Sequence, residues 1–139
     1  MTSPSYEIAE VLENASIGTR GASSGWGIFV NKEPTKPDTC VTIYDTPSRP
    51  ASPKFSRDFP GFQIRVRAAQ GGESAAHTKM AAIRTELLGK PKFTLNSVVY
   101  VGVWQTIDLV NLGYDDSNRL LLATTWRAVR EPPASGNRS

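Results

Sequence analysis

Residues 61–69 read GFQIRVRAA, and their alternation sets the reading of the whole chain. Phe62, Ile64, Val66 and Ala68 are apolar, and Gln63, Arg65 and Arg67 fall between them. Successive side chains of a strand point to opposite faces, so this period makes a strand with one buried and one wet face. Gly71 and Gly72 break the pattern. Beyond them Ala76, Met80, Ile83 and Leu87 recur at helical spacing, which predicts a helix over residues 73–88. Gly89 suits the position past its end, and Pro91 forbids continuation.

Working outward from this strand and helix, the upstream chain opens on a second helical pattern. Ile8, Val11, Leu12 and Ala15 make its apolar stripe, with Ser3 or Ser5 as cap and Pro4 in the first turn. Glu7, Glu10 and Glu13 fall mostly on the other side, and Glu7 is early enough to favour the positive helix end. Residues 18–25 are rich in Gly and Ser and read as a loop. Residues 26–30 and 40–44 are short apolar, β-branched runs and read as strands. Between them, residues 31–39 carry Pro34, Pro37 and Asp38 and read as a turn or loop. Residues 46–60 hold Pro47, Pro50, Pro53 and Pro60. Proline removes a backbone donor, so this piece is not expected to pair as a central strand.

Downstream, residues 92–95 and 98–104 read as strands joined by a tight turn at Asn96 and Ser97, and residues 107–116 are mixed. Residues 119–130 form a last strand, with Leu120, Leu122, Thr124 and Trp126 on one face. The expected fold class is α+β: a mainly antiparallel sheet with two main helices packed on one face. Residues 1–131 form one domain, and 132–139, opening on Pro132 and Pro133, form a flexible tail.

The chain has 139 residues, a usual size for one domain with a real core. No run approaches the ~18 apolar residues that span a bilayer, so no membrane partner is expected. Residues 1–6 lack a basic patch followed by an apolar run, which points to a cytosolic start. The net charge of +3 is unevenly spread. Residues 1–45 carry 3 Lys/Arg and 6 Asp/Glu, residues 46–92 carry 9 and 3, and residues 93–139 carry 4 and 4. An acidic start and a basic middle suit a subunit that pairs with copies of itself or with an acidic surface. The basic residues are spaced out rather than clustered, which weakens specific nucleic-acid readout.

No catalytic constellation is legible. Asp115 and Asp116 lie beside Ser117 and Asn118, the composition of a turn, and neither they nor Asp108 follow the offsets of a calcium loop. His77, the single histidine, sits on a helix near Glu73, at the core edge or in solvent. Gly18, Gly21 and Gly25 lead into a strand without the lysine of a phosphate-binding loop. Cys40, the single cysteine, sits in an apolar strand and reads as a core residue; a nucleophile would need a base that no spacing supplies. The residues that a monomer does not explain are the basic, proline-rich loop and the arginine-bearing strand face. Arg49, Lys54, Phe55, Arg57, Phe59, Arg65 and Arg67 are therefore the candidate protein interface.

The order of these pieces resembles the tail terminator proteins of long-tailed bacteriophages, over about residues 6–132. The amphipathic first helix leads to the strand Gly27-Ile28-Phe29-Val30, then to Pro37-Asp38-Thr39-Cys40-Val41-Thr42-Ile43-Tyr44-Asp45. Phe62-Gln63-Ile64-Arg65-Val66-Arg67 then runs into a helix ending at a leucine, and Leu112-Gly113-Tyr114-Asp115 introduces the last strand. The loop after Asp45, usually glycine-rich in such proteins, is here rich in proline and basic residues. The resemblance implies a homo-hexameric ring that caps the tail tube, ends its growth and meets a head-side connector or neck protein. It implies DNA passing through the ring without sequence-specific binding, a place in the virion tail or neck after assembly in the host cytoplasm, and neither enzyme activity nor a cofactor or metal. The alternatives are a head-closure or tail-completion subunit, or a basic nucleic-acid-binding module using Arg49, Lys54, Arg57, Arg65 and Arg67.

Overall fold

The computed structural model describes residues 3–49 and 57–131. Its elements run α1 (Pro4–Asn14), β1 (Thr19–Arg20), β2 (Gly27–Val30), β3 (Cys40–Arg49), β4 (Phe59–Arg67), α2 (Glu73–Leu87), β5 (Phe93–Leu95), β6 (Val98–Tyr114) and β7 (Leu120–Glu131). The apolar residues of the 61–69 alternation are fully buried. They face both helices across one core. Ile8 and Leu12 of α1 and Ala76, Met80, Ile83 and Leu87 of α2 join Phe62, Ile64, Val66, Leu122 and Trp126 in a single cluster. The Phe62 and Trp126 rings stack with centroids 6.5 Å apart. α1 packs over β2 and β3, and α2 over β4 and β7.

The seven strands lie in the order β1-β2-β3-β4-β7-β6-β5. The expected mainly antiparallel sheet is corrected here: the sheet is mixed, because β1–β2 and β2–β3 pair in parallel. A parallel connection usually takes a dozen or more residues and a helix. β2 is only four residues long, so the return path is short, and residues 31–39 cover it as a loop. That economy hid the parallel pairing from a reading that looked for helices between strands. Residues 18–25 are likewise not all loop, since Thr19 and Arg20 add the edge strand β1.

Two further expectations change. β3 continues to Arg49, through Pro47. Pro47 sits where the register with β4 shifts between Thr46 and Arg49, and a missing N–H at such an irregularity breaks no ladder bond. The region read as mixed is strand: β6 runs on to Tyr114, opposite the shorter β7, with four register shifts along it. Pro50, Pro53 and the expected tail at 132–139 lie outside the described residues.

The start of α1 is fixed by a partner distant in sequence. Ser3 occupies the cap position but its side chain makes no capping bond. The Asp45 carboxylate instead accepts from the Ser5 amide at 3.0 Å and the Ser5 hydroxyl at 2.8 Å, and Asn31 Nδ2 donates to it at 2.9 Å. Glu7, expected mostly on the wet side, is 1% exposed. Its Oε1 accepts from the Tyr100 hydroxyl at 2.6 Å and from Arg130 Nη1 at 2.7 Å. A buried carboxylate needs such a cation, and Arg130 at the far end of β7 supplies it.

Candidate protein interface

The candidate residues do not form one patch. Phe59 and Arg67 close the two ends of β4, eight steps and roughly 27 Å apart. At the Phe59 end, Arg49 lies opposite Phe59 in the register. Arg57 is exposed, and its Nη2 donates to Glu131 Oε2 at 2.7 Å. Phe59 is half-buried. Lys54 and Phe55 lie outside the described residues. In the middle of β4, half-buried Arg65 places its guanidinium 4.9 Å from the Tyr44 ring centroid, and its Nε donates to Gln63 Oε1 at 2.9 Å. Its charge stays on the face opposite the helices.

Arg67 has a different job. It is 2% exposed, and its guanidinium donates to the carbonyls of Pro34 at 2.6 Å, Pro37 at 2.6 Å and Asp38 at 3.0 Å. Arg119 grips the same loop, donating to the Thr35 carbonyl at 2.7 Å and to Asp38 Oδ1 at 3.0 Å. Two arginines thus staple the return path between β2 and β3 onto the sheet. Alternation alone placed Arg67 on the wet face; a loop folding over that face is what buries it.

The residues weighed for chemistry fall into structural roles. Asp115 Oδ1 accepts from the Ser117 and Arg119 amides at 2.9 and 3.0 Å, closing the turn before β7. Desolvation pushes its carboxyl up, but the amide and guanidinium of Arg119 and the Ser117 amide hold it below the usual carboxylate range. His77 is exposed. Among the described residues no group of three or more His, Cys, Asp or Glu is placed to hold a metal. Cys40 is fully buried, and burial pushes its thiol up against the pull of the Arg67 guanidinium. The thiolate is the reactive form, so a raised value makes the native cysteine inert. Cys40 is expected to react with a thiol reagent only as fast as the chain unfolds. Prompt labelling of native protein would show that the site is open.

One surface was missed by the sequence reading. β6 exposes Trp104, Ile107, Leu109, Val110 and Leu112, each at 39–51%. In the register, Trp104, Ile107 and Val110 lie beside Arg127, Thr125 and Ala123. These partners alternate along β7 with the buried Trp126, Thr124 and Leu122, so all three apolar residues share the face opposite the helices. The available signal was a 17-residue stretch, 98–114, with Asp108 as its one charged residue. Its bulges erased the period-2 alternation that would have marked it as a strand.

Comparison with known proteins agrees with this architecture. The family model described as bacteriophage tail terminator protein matches residues 11–131. A chain in the solved structure of the virion of a native gene transfer agent particle superposes with a TM-score of 0.63 at 16% identity, covering 93% of this chain and 95% of that one. At that identity the likeness concerns the fold alone. No curated protein matches the chain.

Proposed function

This chain belongs to the bacteriophage tail terminator family, and from that membership we propose that it forms a ring, a homo-hexamer, on the end of the tail tube. It is a structural protein of the phage tail. In the proposed role the ring ends polymerisation of the tube protein and presents its other side to a head-side connector or neck protein. DNA passes through the ring without being read, and the subunit performs no catalysis. The observation that carries the proposal is the family match across 11–131, which takes in the whole described sheet from β1 to β7. The fold of a gene transfer agent virion chain over almost the same length supports a place in the virion. Among the described residues no helix is long and apolar enough to cross a membrane.

A closed ring needs a contact in which one surface meets a different surface on the next copy. Arg65, on the open face, is proposed as part of a contact surface, as are Arg49, Lys54, Phe55, Arg57 and Phe59 at the loop between β3 and β4. Arg67 is not, because its donors already serve the 31–39 loop. Electron microscopy of particles made without this protein tests the role. Tails longer than normal and lacking heads are expected. Tails of normal length beside tailless heads would instead assign the chain to head closure.

A further inference from the structure

Among the described residues, no strand neighbours the outer side of β6 beyond Tyr100, because β5 pairs with it only at Val98–Tyr100. Edge strands that must remain in solvent are usually short or carry lysine and proline. Residues 98–114 contain no Lys, Arg or Pro and one acid, Asp108, in a chain that is 21% charged. Val101, Trp104, Ile107, Leu109, Val110 and Leu112 are each 39–51% exposed. Together they show on the order of 500 Å² of apolar-residue surface, against ~800 Å² buried per partner in a standard stable interface.

We infer that this arm of β6 is the apolar half of the contact between neighbouring copies of the chain, an inference that rests on the ring reading. The occupant follows from composition and position. Depletion of charge over a long apolar strip is the composition of a permanent contact between identical chains. The strip also lies along the side of the sheet. The end of β3 at Arg49 and the start of β4 at Phe59 lie at one end of the strands and the 115–118 turn at the other, which leaves those ends for other partners. The contact is made by side chains. Four register shifts break the ladder between Tyr100 and Gly113, and a backbone bulged that often is a poor template for strand addition. The shifts leave Val101, Leu109 and Leu112 outside the paired register with β7, where they are presented to a neighbour.

The test compares the wild type with the variant Ile107→Lys/Leu109→Lys/Leu112→Lys, by sedimentation in solution and by counting copies on isolated tails. All three positions are exposed, so circular dichroism and the melting temperature should match the wild type. Self-association is expected to weaken about 30-fold or more, leaving monomers in solution and fewer copies on tails. A variant that assembles like the wild type overturns the inference and leaves the ring reading intact. A wild type found as single copies both in solution and on tails overturns the ring reading itself. A second measurement covers the case of a misfolded variant. Cys40 is buried, so Ile107→Cys takes an environment-sensitive fluorophore at one site. A blue shift on self-association of this chain alone supports the inference. A shift that requires added tail tubes assigns the arm to the tube and overturns it.

Discussion

Arg130→Met lowers the stability of the subunit by about 3–5 kcal/mol, because it leaves a buried carboxylate without its cation. Glu7 and Arg130 meet at 2.7 Å, with side-chain exposures of 1% and 8%. Arg130 Nε also lies 3.5 Å from Asp58 Oδ2. Removing the guanidinium leaves Glu7 the Tyr100 hydroxyl, which is a hydrogen-bond donor but no counter-charge. Adding Glu7→Gln to Arg130→Met should restore at least about half of the loss, since it removes the stranded charge and keeps an acceptor for Tyr100. Urea unfolding of the two variants reads the difference. A loss below about 1 kcal/mol in the single variant, or no recovery in the double, would show that the pair is hydrated in solution.

Arg67→Met is expected to cost about 2–4 kcal/mol. It removes the donors that meet the Pro34, Pro37 and Asp38 carbonyls and leaves Arg119 as the remaining arginine on that part of the loop. Hydrogen exchange should show its largest rise at residues 31–39 and the first residues of β3, with little change in α2. Lysine is a poor substitute, because its donors sit on one compact nitrogen, whereas Arg67 reaches the three carbonyls from Nε, Nη1 and Nη2 spread over a planar fork. A Lys variant as stable as the wild type would sink this account of the clamp. An exchange increase spread evenly over the sheet would do the same.

The elements most readable in the sequence were those whose period survives in the fold. Phe62, Ile64 and Val66 alternate, and Ala76, Met80, Ile83 and Leu87 recur by helical turns, so both segments and their buried faces were visible in advance. Gly89, at φ +73°, stops the second helix where the sequence placed its end. What escaped was what depends on contacts far along the chain. Glu7 looks like a solvent-side helix residue until Arg130 arrives 123 positions later. Arg67 looks like a wet-face arginine until the 31–39 loop folds over it. The parallel pairing of β2 with β3 depends on a loop short enough to dispense with a helix. The apolar arm of β6 was unreadable because its bulges remove the alternation.

The Glu7–Arg130 pair also bears on when this subunit becomes competent. The first helix is locked by a residue from the end of the last strand, so the two ends of the fold are sewn together. Such long-range closure slows folding, because loop entropy must be met before the distant contacts form. A nascent chain halted before β7 would have α1 without its cation and β4 without one of its neighbours in the sheet. A copy without β7 would lack Leu120, Leu122, Trp126 and Ala128 from its core, and with them a finished fold.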